Sequence, residues 1–152
     1  MTFSIRPATL DDTEVLVRHR IQMFLDMRAP IDRPMLAAEF TKWLNDHLTT
    51  GVYRAWLVHA DAVVAGGGGA TIIPWPPGPH YPGHRLAFVY NVYTEPPFRR
   101  QGVGRLVMET IHRWSRENGV ASLALNASAD GRSLYDALGY VVTSSPMMFL
   151  SL

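Results

Sequence analysis

The chain has 152 residues, 47% of them hydrophobic, a formal net charge of +1 and no cysteine. That length suits one domain with its own core, and the absence of cysteine excludes disulfides, thiolate metal sites and a cysteine nucleophile. The balanced charge argues against nucleic-acid binding by bulk electrostatics, and without a leader-like start or 18 consecutive apolar residues no membrane partner is expected and a cytoplasmic location is.

Phe3 to Arg6 alternates like a short strand. Thr9 followed by Asp12 has the spacing of a capping box and opens a helix to about Met27, with Val17, Ile21 and Phe24 expected to face inward. Pro30 breaks that helix. Pro34 suits the first turn of a second one, in which Leu36, Phe40, Trp43, Leu44 and His47 share a face, and Gly51 stops it. Val52 to His59 and Ala62 to Ile73 predict two strands joined by a tight turn at Ala60-Asp61. Inside the second strand, Gly66 to Gly69 is not a nucleotide loop, since no Lys-Ser/Thr follows and no helix begins there; it signals a bulge or a close backbone approach. Residues 74 to 85 form a proline-stiffened loop carrying Trp75 and Tyr81, expected to wall a pocket. His80 and His84 lie in that loop without carboxylates close in sequence, so a surface position is favoured over a metal site.

Leu86 to Tyr93 predicts a strand closed by Pro96-Pro97. Beyond it, Val103, Leu106, Val107, Thr110, Ile111 and Trp114 recur at helical spacing, with Arg105, Glu109, His112, Arg113 and Glu117 opposite. Between strand and helix lies Arg99-Arg100-Gln101-Gly102-Val103-Gly104. A helix opening there presents unpaired N–H groups and the positive end of its dipole, the glycines allow close approach, and Arg99, Arg100 and Arg105 add positive charge, a combination suited to holding a phosphate. Ala121 to Leu125 predicts another strand, Ser128 or Asp130 caps a short helix through Leu138 with Gly139 as its stop, and Val141 to Thr143 and Met147 to Leu150 are expected closing strands. The order implies an α+β fold built on a mixed sheet flanked by helices.

Two of these segments match one family. Arg99-x-x-Gly102-x-Gly104, after a strand ending Val92-Tyr93-Thr94-Glu95-Pro96, resembles the acyl-CoA-binding motif of the GNAT acyltransferase superfamily. Leu134-Tyr135-Asp136-Ala137-Leu138-Gly139-Tyr140 resembles that family's second segment, about 30 residues downstream, and Asn126 to Arg132 resembles a bacterial branch of the family. The resemblance implies a single domain over residues 1 to 152, with a central, mostly antiparallel sheet of about seven strands and about four helices. It implies an N-acetyltransferase that moves an acetyl group directly from acetyl-CoA to the amine of a small molecule or peptide, without a metal. Backbone amides from Gln101 to Arg105 would then hold the pyrophosphate, and the strand edge at Val92, Tyr93 and Thr94 would pair with the pantetheine arm. Val92 N–H would polarise the thioester carbonyl and Tyr135 would protonate the leaving thiolate. Ser128, with Asn126 two residues earlier, stands where many members carry a pantetheine-binding asparagine, and Arg132 is either a phosphate contact or a solvated charge. The strand from Ala87 to Asn91 lacks the carboxylate some members use as base, which leaves the base unassigned: water-mediated transfer, a group outside that strand such as His84, Glu95 or Glu39, or an amine of lowered pKa that needs little help. Trp75, Tyr81, Tyr90 and Tyr93 are candidates for the acceptor pocket. Other readings stay open: Tyr135 as a core residue, a non-catalytic CoA-binding module, or a fold-only relative that binds no CoA and acts as a dimeric structural protein paired through Met147 to Leu150.

Overall fold

A computed structural model describes residues 2–152. The capping box forms as expected: Asp12 accepts from Thr9 N–H at 2.8 Å, and Thr9 Oγ1 from Asp11 N–H at 3.3 Å. It closes a 3-10 turn over Leu10–Asp12 rather than the first turn of an α-helix. That turn links strand β1 (Phe3–Pro7) to helix α1 (Thr13–Asp26), and Asp32 then caps α2 (Arg33–His47), which carries Pro34 in its first turn. The hairpin strands β2 (Tyr53–Ala60) and β3 (Val63–Pro74) turn at Asp61-Ala62, one residue later than expected, with Asp61 at φ +54°. Strand β4 (Arg85–Thr94), helix α3 (Val103–Glu117), strand β5 (Ser122–Leu125) and the short helix α4 (Arg132–Ala137) follow.

The strands form one mixed sheet in the order β1-β2-β3-β4-β5, antiparallel except for the parallel pair β4 and β5. Alternation along β2 builds two cores: Tyr53, Ala55 and Leu57 meet Leu16, Phe40 and Leu44 from α1 and α2, whereas Trp56, Val58 and Ala60 meet Val107, Met108 and Ile111 from α3. The sheet is therefore covered on both faces, which explains why β2 is buried nearly throughout.

Three expectations are corrected. On α1 the fully buried residues are Leu16 and His19; of the three expected to face inward, Val17 packs half-buried against the core with Leu16, while Ile21 and Phe24 join neither core, because apolar side chains surround this helix and their spacing does not single out the inward stripe. The sheet has five strands among the described residues, not seven, because 141–143 and 147–150 form none. The loop 75–84 does not wall the main cleft: Trp75 N–H donates to His84 O, Gly78 bridges Tyr81, and Trp75 packs on Tyr81 with ring centroids 5.6 Å apart. No helix of the described residues is long and apolar enough to cross a membrane.

Candidate active site

A cleft of about 1240 Å³ runs from α1 and α2, across β4, to the start of α3 and the loop before α4. Its floor is shaped by an irregularity in β4. Tyr93 pairs with Gly67 and Tyr90 with Gly69, so Asn91 and Val92 together oppose Gly68, a bulge whose first residue sits at φ +62°. Asparagine tolerates that left-handed backbone better than most residues. Its amide is fixed on both sides, with Oδ1 accepting from Arg20 Nη1 at 2.5 Å and Nδ2 donating to Tyr53 OH at 3.0 Å. Pairing of β4 with β5 covers only Leu86 to Val89, so from Tyr90 to Thr94 the edge facing β5 is unpaired and borders the cleft. Val92, Tyr93 and Thr94, the edge expected to pair with the pantetheine arm, lie within this unpaired stretch.

At the far end of β4 the chain turns through Arg100 at φ +63° and Gly102 at φ +88°, and α3 begins. Gly102 caps α3 with its backbone only, and the first intrahelical bond reaches it from Leu106 N–H at 3.0 Å. No acidic side chain occupies the first turn, so the N–H groups of Val103, Gly104 and Arg105 remain as donors at the positive end of a 15-residue helix. A Cβ on Gly104 would lie 3.2 Å from Leu134 Cδ2, so glycine keeps this approach open. The arginines are not equivalent: Arg99 is tied to Asp26 at 2.7 Å and Thr94 O at 3.1 Å, and Arg105 to Glu109 at 3.2 Å. Arg100 lines the cleft and forms no ion pair among the described residues. Gln101 is turned back, its amide donating to Pro97 O at 3.1 Å.

Tyr135 projects from α4 into the same cleft, 9% exposed, with its ring edge against Tyr140. Burial raises its phenol above the ordinary value of 10, so the hydroxyl stays protonated across neutral pH, and it has no hydrogen-bond partner among the described residues. A Cβ on Gly131 would lie 2.8 Å from the Tyr135 ring, so a glycine makes room for it. Ser128 and Asn126 both line the cleft, but Ser128 Oγ already accepts from Gly131 N–H at 3.2 Å. Arg132 does not line it and pairs with Asp136 at 3.0 Å, which fits a solvated helix charge.

The other half of the cleft is aromatic, with Phe24, Phe40, Trp43, Phe88 and Tyr90 on its walls. Of the aromatics expected there, Tyr90 and Tyr93 are present, while Trp75 and Tyr81 are not. Of the three groups weighed as a base, only Glu39 borders the cleft; His84 lies in the distant loop, and Glu95 receives His19 Nε2–H at 3.0 Å and forms an ion pair with Arg18 at 2.5 Å. Sequence reasoning missed Arg20 and Asn91. The available signal was an amide inside an otherwise apolar strand. Among the described residues no group of three or more His, Asp or Glu side chains is disposed to hold a metal ion.

The sequence from residue 20 to 140 matches the acetyltransferase (GNAT) family model. Of solved structures, a GCN5-related N-acetyltransferase from Ralstonia eutropha is 30% identical, with a TM-score of 0.86 over 98% of this chain and 99% of that one. A predicted acetyltransferase from Clostridium acetobutylicum, solved with acetyl-CoA, is 22% identical, with a TM-score of 0.88 over 98% and 96%. A ribosomal-protein-alanine N-acetyltransferase from Brucella melitensis biovar Abortus shares the fold at 18% identity and a TM-score of 0.76 over 99% of both chains. No curated protein matches the sequence.

Proposed function

The chain belongs to the acetyltransferase (GNAT) family and is an acyltransferase; from that premise we propose that it is a single-domain N-acetyltransferase that uses acetyl-CoA and acts on the amine of a small molecule or peptide. One observation carries the reading: the open N-terminus of α3, the unpaired edge of β4 at Tyr90 to Thr94 and the partnerless Tyr135 hydroxyl all border one cleft.

The residues fit the cosubstrate. N–H groups of the α3 first turn and the Arg100 guanidinium are donors for a pyrophosphate, and the glycine at 104 keeps backbone within reach of it. The free edge of β4 offers backbone groups to an amide-bearing arm, as an added strand would be paired, and Asn126 offers a side-chain amide. Bound acetyl-CoA supplies an activated acyl carbonyl. Val92 N–H, on the bulge, donates to the oxygen on which charge develops, and a donor already fixed in place stabilises that charge without the reorganisation that water requires. Glu39, directly or through water, takes the proton shed by the attacking amine, and Tyr135 returns a proton to the thiolate that leaves. The reading extends to a homodimer, with the exposed segment after α4 covering the β5 edge of a second copy.

The test is calorimetric titration with acetyl-CoA, joined to an assay of CoA release with a panel of amines. Wild-type protein should bind, and Gly104→Arg should lose binding while staying folded, since its side chain fills the phosphate cradle. Tyr135→Phe should keep acetyl-CoA affinity within a few-fold and lose on the order of 10² or more in turnover. No acetyl-CoA binding by the wild type would overturn the reading.

A further inference from the structure

Arg20 is a half-buried cation with no anion beside it. Its guanidinium packs over the Phe24 and Phe40 rings, each centroid 5.0 Å away, and donates once, to the neutral amide of Asn91. Among the described residues it forms no ion pair. The phenols nearest in charge effect, Tyr53 and Tyr90, are both raised above their ordinary value by burial and therefore carry no charge near neutral pH. Of the other charged groups on the cleft, Asp26 is held by Gln22 and Arg99, Arg105 pairs with Glu109, Glu39 and Asp130 pair with no cation among the described residues, and Arg100 stands at the start of α3.

A guanidinium withdrawn from water without a carboxylate costs stability, and burial pulls the Arg20 pKa down accordingly. Its rotamer is fixed by two rings and an amide, yet its other N–H groups have no acceptor among the described residues and the side chain lines the cleft. Such a group is preorganised for a bidentate anion. It bonds the residue directly before Val92, so an anion on Arg20 lies next to the carbonyl-polarising position. The walls around it, Phe24, Phe40, Trp43, Phe88 and Tyr90, suit a flat apolar group.

We propose that Arg20 is the anchor for the carboxylate of the acceptor, and that the acceptor is an aromatic amino acid whose ring lies among these side chains. This rests on the acetyltransferase reading for the amine, but the carboxylate site itself does not depend on turnover.

The experiment titrates the protein, with CoA present, against L-phenylalanine, 3-phenylpropanoate and 2-phenylethylamine, which share the ring and differ in the two charged groups. Both acids should bind roughly tenfold or more tightly than the amine, the advantage expected of a charge-assisted pair. Arg20→Gln should abolish that ratio and Arg20→Lys should keep part of it. Asn91→Asp provides a second route if Arg20→Gln fails to fold, because it retains Arg20 but gives it an internal counter-ion, and it too should abolish the ratio. Equal binding of amine and acids, no binding of either acid, or an advantage that survives both Arg20→Gln and Asn91→Asp would overturn the proposal. Acetyl-CoA binding without a carboxylate preference defeats only the Arg20 assignment. Acid binding that Arg20 controls, in a protein without affinity for acetyl-CoA, defeats only the transfer reading.

Discussion

His19 is 2% exposed, and its ring packs against Tyr93 with centroids 4.9 Å apart while Nε2 meets Glu95. Two influences oppose each other on its protonation. Burial disfavours the imidazolium and the Glu95 carboxylate favours it, with burial the larger, so the pKa lies below the ordinary 6.5 and the ring is neutral at pH 7. The neutral ring donates Nε2–H to Glu95, and Arg18 supplies the compensating charge from the solvent side. The sign of the pH effect follows. As pH falls below about 6.5 the unfolded chain takes a proton that the folded chain refuses, so stability declines until the folded pKa is reached. His112, also lowered by burial, acts in the same direction and leaves a residual slope. His19→Gln keeps a donor toward Glu95 but does not titrate. Its melting temperature should fall less steeply than the wild type's between pH 7 and pH 5, and identical slopes would show that His19 contributes nothing.

At the level of elements, the site depends on how closely α3 is seated against β3. A Cβ on Gly66 would lie 2.5 Å from Tyr93 O and 2.8 Å from Val103 Cγ1, so this glycine lets the first turn of α3 and the end of β4 approach one strand together. Gly66→Ala should therefore cost about 1–3 kcal/mol by overpacking and weaken acetyl-CoA binding by shifting the α3 N-terminus. Gly78→Ala, in open space within the distal loop, should change neither; equal melting temperatures for the two variants would refute the argument. Close approach at Gly66 to Gly69 was legible in the sequence because consecutive glycines forgo side-chain packing, a loss a strand tolerates where a bulge forms or a neighbouring backbone must come near. The turn before α3 was legible for a similar reason, since an extended run, two glycines and a strongly amphipathic helix follow one another without a gap. The bulge at Asn91-Val92 was not, because the register that creates it belongs to β3 as much as to β4. The aromatic half of the cleft was hidden for the same kind of reason. Phe24, Phe40 and Trp43 occupy helical positions that periodicity assigns to a core, and only the placement of α1 and α2 leaves a cleft between them and β4.

The whole molecule leaves one surface unfinished. After Tyr140, whose hydroxyl bonds His112 at 2.7 Å, the chain carries Val141, Val142, Met147, Met148, Phe149 and Leu150 in neither strand nor helix, each between 72% and 90% exposed. Across the molecule's sheet, β5 pairs with β4 alone, and among the described residues its other edge has no strand. The apolar tail and the open edge each expose groups that water serves poorly, and every copy of the chain carries both. A two-fold pair that exchanges tails satisfies both needs twice, and each Val, Met, Phe or Leu so covered contributes about 1.5–3 kcal/mol when fully buried. The two strands expected at 141–143 and 147–150 would then form against the partner rather than within the chain, which accounts for two short apolar runs in a segment that makes no strand alone. Light scattering on the full chain should give twice the 17.0 kDa of one copy, and Met148→Asp combined with Phe149→Asp should shift the mass toward one copy while the fold holds. A monomer at tens of micromolar whose tail resists proteolysis would mean that the segment folds back on its own sheet, and the exchange would be wrong.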